Sequence, residues 1–456
     1  MRAERPSRAA RRGLRRPCIT SDRNRVTGSK TDKKEHFMIN DFERFDVRTG
    51  QLGKGDLFIG PSGQQVDLSG VRVLWTGVDT LRQMFSGVLI PERLAEIVTA
   101  YEDGFGNIVQ VNGYDFVVKS GKKGGYKYLL QNNELGLTLL VHHLYSEADA
   151  ENTHLKIECS PRWIYERDPD EITDELAHFG FWFLKNLKPI GIAIHMAVDF
   201  QGWEPPQDFD EHFVTRAKTV THHNYLSELR LEANDFSSVA GRRQGFTFGK
   251  ANGLQTCLYN KSREMLVSDK RDFMESIWSQ ASHEDCFPDS AFDPEKPVWR
   301  LEMRLHHRIV NEIWQGTGIE PLYTFERAAK HLTGLWKYAL KSNRYESKRD
   351  WVHPIWTKLR EDVRFGHAAP DLMYKRVKKT PGVGNEKNVA LAFGNLLSVY
   401  ARNNFNAKQA WDCLKRSGLW EDLCNYYRRR DITEGMLFEL VRDNLIRRRM
   451  LGKVAA

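Results

Sequence analysis

A chain of 456 residues can bury more than one core, and its 41% hydrophobic and 11% aromatic content excludes a disordered protein. No apolar run approaches the roughly 18 residues a membrane span needs, and the Arg-rich start lacks the apolar segment of a signal peptide. Six cysteines without a Cys-x-x-Cys pair exclude a disulfide framework and a structural zinc site, so a soluble, cytoplasmic protein with no membrane partner is expected.

The formal net charge of +8 is unevenly spread. Residues 1–37 hold 12 basic and 4 acidic side chains, residues 38–305 hold 28 and 40, and residues 306–456 hold 28 and 16. A basic tail and a basic C-terminal part can follow nucleic-acid phosphates, whereas the acidic middle can hold divalent cations. Solvated faces would give the same counts.

Residues 1–37 carry almost no large apolar side chains and are expected to be disordered, with a nonspecific DNA arm as the functional alternative. Met38 opens a new composition and offers a second translational start. Short strands with turn signals follow at 56–60, 71–81, 115–119, 126–130, 136–142 and 154–159, and a helix with proline in its first turn spans 91–101. An amphipathic helix is expected over 170–187, then a buried strand over 190–200 whose period of two puts His195, Ala197 and Asp199 on one face.

Asn252-Gly253 marks a hairpin turn, after which a strand would present Gln255, Cys257, Tyr259 and Lys261 together. An ammonium beside the tyrosine would lower its pKa and neutralise a phosphate. In Trp299-Arg300-Leu301-Glu302-Met303-Arg304-Leu305 the apolar and charged residues alternate, so one row is buried and three charges share the other face. Beyond Arg308 the period becomes helical: Thr324 is placed to cap a helix over 325–341, residues 375–384 read as a basic linker, and further helices are expected at 388–402, 407–416, 419–428 and after Asp431.

Strands without βα alternation, followed by helices, predict an α+β protein. It would comprise the tail 1–37, an antiparallel-sheet catalytic domain over 38–310 and a basic α-helical domain over 311–456 that binds DNA or oligomerises. His-x-His nucleases, phosphate-loop motors, Gly-x-Ser-x-Gly hydrolases and His-Glu-x-x-His metalloproteases are excluded, since none of those motifs is present.

Taken in order, Gly77–Phe85, His195-Met-Ala-Val-Asp199, Tyr259-Asn260-Lys261 with Glu264, and Trp299-Arg300-Leu301-Glu302 resemble motifs of one family. These are the trans-acting replication initiators of rolling-circle plasmids and filamentous phages, with relaxase relatives in conjugative elements. Three positions depart from the family pattern: His195 stands in place of an Asp, Ala193 in place of an Arg and Asn260 in place of an acidic residue; where some relatives have a second tyrosine, this chain has Arg263.

The resemblance implies a metal-dependent DNA nickase and strand transferase with Tyr259 as nucleophile, Lys261 and Arg300 assisting, and Mg²⁺ or Mn²⁺ held by Glu302, Asp199, His195 and Asp79. Origin DNA, double- and single-stranded, is the implied partner, contacted by Arg304, Lys375, Arg376, Lys378, Lys379, Arg447, Arg448 and Arg449. A noncatalytic origin-binding protein or a conjugative relaxase is the alternative on the same scaffold. A host helicase and a second copy of the chain are further partners that the helical part would serve.

Overall fold

The computed structural model describes residues 39–454 except 103–106, 121–124, 218, 224–244, 251–252, 267–270, 285–291, 367–371, 378–385 and 430–431. The tail, Asn252, Lys378, Lys379 and Asp431 therefore lie outside the described residues. A small sheet of β1 (Glu43–Phe45), β2 (Leu57–Ile59) and β3 (Gln65–Asp67) comes first. It precedes β4 (Arg72–Leu89), α1 (Pro91–Glu102), β5 (Ile108–Val111), β6 (Tyr114–Ser120), β7 (Tyr126–Asn132), β8 (Leu137–His143) and β9 (Asn152–Cys159).

Next come α2 (Pro161–Ile164), α3 (Pro169–Phe183), β10 (Leu184–Gln201), β11 (Phe213–Val214), β12 (Val220–His223), β13 (Gly245–Phe248) and β14 (Leu254–Asn260). The chain continues through α4 (Lys261–Met265), α5 (Arg271–Glu284), β15 (Trp299–Leu305), α6 (His307–Thr317), α7 (Phe325–Ala329), α8 (Leu332–Ser342), β16 (Arg344–Lys348), β17 (Trp351–Val352) and α9 (Pro354–Glu361). It ends in α10 (Glu386–Arg402), α11 (Ala407–Arg416), α12 (Trp420–Arg428) and α13 (Glu434–Val454).

The centre is an eleven-stranded antiparallel sheet in the order β12-β13-β14-β15-β10-β4-β9-β8-β7-β6-β5. The α+β class read from the sequence is what the chain adopts. Its two middle strands, β4 and β10, are each 18 residues long. Both exceed the expected strands, and β10 begins at Leu184, where the expected helix over 170–187 was to continue. Leu184 is extended (φ −126°, ψ 135°) and pairs with Leu89, so sheet pairing overrides the helical period there.

One face of the sheet buries Leu81, Phe85, Ile157, Ile194, Met196, Val198, Leu301, Met303 and Leu305 with Ile172, Leu176 and Phe183 of α3. Residues of α6, α7, α8 and α9, among them Ile309, Ala328, Trp336 and Trp356, belong to that same core. This corrects the boundary placed at 310: the helices just after it are part of the sheet body, which runs to Tyr374. A separate core of Val389, Phe393, Leu397, Ala410, Leu414, Leu437, Val441 and Leu445 is built by α10–α13 alone. The helix expected over 325–341 is broken into α7 and α8, and Thr324 occupies the N-cap position without a capping side-chain bond.

Candidate active site

The second face of the sheet carries the charges. Strands β14, β15, β10 and β4 align Tyr259, Arg300, Asp199 and Trp75 in one cross-strand row. Cys257, Glu302, Ala197 and Gly77 form the next, and Gln255, Arg304, His195 and Thr80 the third. Side chains on alternate residues share a face, so these rows bring together residues up to 225 positions apart in sequence, the span from Trp75 to Arg300.

Asp79 reaches the same place by a different device. His195 pairs with Thr80 and Met196 with Val78, which leaves Asp79 as the extra residue of a β-bulge. A bulge re-aims a side chain out of strict alternation. Gly77 serves the neighbouring row, since a Cβ there would lie 2.5 Å from Cζ2 of Trp75. Without that Cβ the indole lies over Gly77, with the Arg300 guanidinium 4.9 Å from its ring centre.

The charges are buried and paired. Arg300 and Glu302 are fully shielded from solvent, as is Asp199. Arg300 donates to Asp199 through Nε (2.6 Å) and Nη2 (2.7 Å), and its Nη1 donates to Asp79. Trp278 of α5 donates from Nε1 to the same Asp199 at 2.9 Å. Arg304 grips Glu302 with Nε (2.7 Å) and Nη2 (2.9 Å), while His195 Nδ1 stands 3.2 Å from Glu302 Oε1. Taking such ions out of water costs several kcal/mol each, and only paired, well-aligned partners offset this.

These contacts set the protonation states. Burial opposes ionisation of Glu302, yet Arg304 and His195 hold its carboxyl well below the usual range. Burial also lowers His195, against the pull of Glu302, so the imidazole is neutral at pH 7. With Nδ1–H donating to Glu302, the buried Nε2 is left with a free lone pair and no hydrogen-bond partner. Burial raises the Tyr259 phenol well above its ordinary value; Glu302 adds to this and Arg300 opposes it.

Two expectations are corrected here. Lys261 does not continue the β14 row: the strand ends at Asn260, whose side chain accepts from Arg263 N at 3.0 Å and caps α4, in which Lys261 is the first residue. The Lys261 ammonium is buried against Glu264 and lies 6.0 Å from the Tyr259 ring centre. The phenol is raised rather than lowered, with burial the largest cause and Arg300 the group that opposes it.

Asp199, expected as a metal ligand, is instead engaged by Arg300 and Trp278 and lies outside the group of possible ligands that the fold brings together. Among the described residues, the group whose ligand atoms lie within 4.8 Å of one another is Asp79, His195 and Glu302. The donor set fits a divalent cation: two carboxylates, one neutral imidazole with an orphaned nitrogen, and three carboxylates in all against two guanidiniums.

The remaining expected contacts are scattered. Arg304 is turned inward to Glu302 rather than outward. Lys375 is exposed, and Arg376 binds Glu312 of α6. Arg447 is exposed, whereas Arg448 reaches Ser398 and Arg449 the carbonyl of Phe405, both within the helical bundle. Sequence reasoning missed Trp75, Trp278 and the Gln255–His306 pair (2.8 Å). Trp75 had a signal, two residues before Gly77 on the same strand face; Trp278, on a separate helix, had none.

Among known proteins, the chain is 34% identical over 413 residues to an uncharacterized protein, ORF430, of Pseudomonas phage Pf1. The match spans 87% of this chain and 94% of the phage protein. The chain belongs to the family of that phage protein. No family model matches it. No solved structure matches it either. Within the described residues of this family member, no helix is long and apolar enough to cross a membrane.

Proposed function

We propose that this chain is a tyrosine-dependent DNA nicking and joining enzyme that initiates rolling-circle replication. The observation that carries the proposal is the row in which Tyr259 stands directly opposite Arg300, one row from Glu302, with the bulged Asp79 held by the same Arg300. The order of the initiator-like motifs supports it, as does a relative from a phage.

Tyr259 Oη would attack the phosphorus of the scissile phosphodiester. The bond from phosphorus to the 3′ oxygen breaks, the phenol gives up its proton, and the departing 3′ oxygen gains one. The 5′ phosphate stays on Tyr259, and the reverse transfer rejoins the strand. At rest the phenol is protonated, and Arg300 is the neighbour that favours its ionised form. Lys261, held by Glu264, and Arg300 supply positive charge beside the reacting oxygens. Asp79, His195 and Glu302 would hold Mg²⁺ or Mn²⁺, which when bound supplies Lewis-acid polarisation of the phosphate. The exposed basic groups of the helical bundle, Arg447 among them, would contact origin DNA.

Tyr259→Phe should abolish cleavage of an origin oligonucleotide while leaving its binding within about two-fold, since one hydroxyl adds little to a phosphate-dominated contact. A fully active variant would sink the assignment. A second reading, a noncatalytic origin-binding protein, is favoured by the raised phenol and by carboxylates already engaged by arginines. Failure to trap a covalent protein–DNA adduct with Mg²⁺ or Mn²⁺ would decide for it.

A further inference from the structure

The groups that suit a cation and the groups that suit a phosphate hold one another. Asp79 is engaged by Arg300 Nη1 and Glu302 by both nitrogens of the Arg304 fork. A cation arriving alone at Asp79 and Glu302 would leave Arg300 with Asp199 alone and Arg304 without its carboxylate partner. A phosphate arriving alone at Arg300 and Arg304 would leave Glu302 with the neutral His195 and Asp79 with the Thr80 hydroxyl, and neither with its guanidinium. Either event is opposed by the desolvation of the group left behind. If both arrive, carboxylates pass to the cation and guanidiniums to the phosphate, and every buried charge keeps a partner.

The two arginines are not equivalent in this exchange. Arg300 remains anchored through two bonds to Asp199, itself fixed by Trp278, and can release only the Nη1 arm. Arg304 has, among the described residues, only Glu302 as a hydrogen-bond partner, and its side chain keeps 16% of its surface in solvent against none for Arg300. Arg304 is therefore the side chain able to swing.

We propose that Arg304, with the Nη1 arm of Arg300, is an internal counterion that is exchanged on loading, so that a divalent cation and a nucleic-acid phosphate bind this site cooperatively. The proposal rests on the reading of Asp79, His195 and Glu302 as cation ligands. It makes the resting site self-neutralised and the loaded site dependent on both ligands.

The full chain would be titrated with Mn²⁺, free ion being read by its paramagnetic resonance signal, with and without single-stranded oligo(dT). Oligo(dT) is expected to tighten Mn²⁺ about ten-fold, and Mn²⁺ to tighten oligo(dT) by the same factor, because coupling between two ligands is reciprocal. Arg304→Gln should tighten Mn²⁺ several-fold without DNA and bring the coupling toward unity. Arg304→Lys, which keeps the charge but loses the fork, should reduce the coupling and guards against a glutamine variant that fails to fold. Equal Mn²⁺ affinity with and without oligo(dT), or coupling that persists in both variants, overturns the exchange while leaving the cation site in place. No Mn²⁺ binding under either condition removes the cation site and the exchange together.

Discussion

Arginines occupy two very different settings in this chain. In the central sheet, Arg300 is buried and bonded through all three of its guanidinium nitrogens to Asp79 and Asp199, and Arg304, partly exposed, is held by Glu302. In the helical bundle, Arg447 faces solvent, and Arg448 and Arg449 tie α13 to Ser398 and to the carbonyl of Phe405. Net charge, the quantity that first suggests DNA binding, weighs these alike. The difference in burial separates a site that holds charge in a fixed geometry from residues whose role is attachment or surface potential. An apolar strand row with long aliphatic side chains would have been cheaper to fold than a row carrying Arg300 and Glu302.

The largest expected effect breaks the buried side of this contrast. Arg300→Ala would leave Asp199 shielded from water with only Trp278 as partner, and Asp79 with its guanidinium removed. Removing one member of a buried pair costs about 3–5 kcal/mol. Urea denaturation of the sheet body should show a loss of that size. A loss under about 1 kcal/mol would mean that water already reaches the cluster and that the buried pairing contributes little.

The alternation in residues 299–305 and 190–200 was enough to place Arg300, Glu302, Arg304, His195 and Asp199 on the faces they occupy, because side-chain direction in a strand depends only on parity. Parity fails where pairing inserts a residue, so the aim of Asp79 depends on the His195/Met196 register shift and is invisible locally. It fails again at Asn260, where a capping bond turns the strand into α4 and takes Lys261 out of the row. The boundary at 310 was misplaced for a related reason: a helical period says that α6–α9 are helices, not which core their apolar faces enter. That Asp199 holds an arginine rather than a metal required knowing that Trp278 comes over from α5.

A middle-sized effect sharpens the contrast through pH. Burial beside His195, Arg82 and Arg304 holds the His306 imidazole down to about 3 from an ordinary value of 6.5. In that window the folded chain binds fewer protons than the unfolded one. The His306 contribution is therefore complete above pH 6.5 and is lost as pH falls toward 3. Glu302, also depressed, adds a further loss that begins only near its ordinary value of 4.5. His306→Gln, which can still donate to Gln255 Oε1, should make the fall in urea midpoint between pH 6.5 and 4.5 visibly shallower while keeping the steeper acid limb. An unchanged slope above 4.5 would show that His306 titrates normally and that this end of the cluster is open to water.

The smallest effect lies on the exposed side. Arg447→Ala removes a solvated charge from α13 with no buried partner to strand, so stability should move by no more than about 0.5 kcal/mol. Its consequence belongs to binding: if the bundle touches DNA phosphates there, affinity should fall similarly for unrelated sequences and the salt slope should drop by roughly one. Arg449→Ala provides the internal control, because that side chain holds the carbonyl of Phe405 in the loop between α10 and α11. It should destabilise the bundle without the same loss of salt dependence. If the two substitutions gave the same salt slope and the same stability change, position on α13 would not distinguish an attachment residue from a DNA contact, and the bundle would lose its claim to the phosphate backbone.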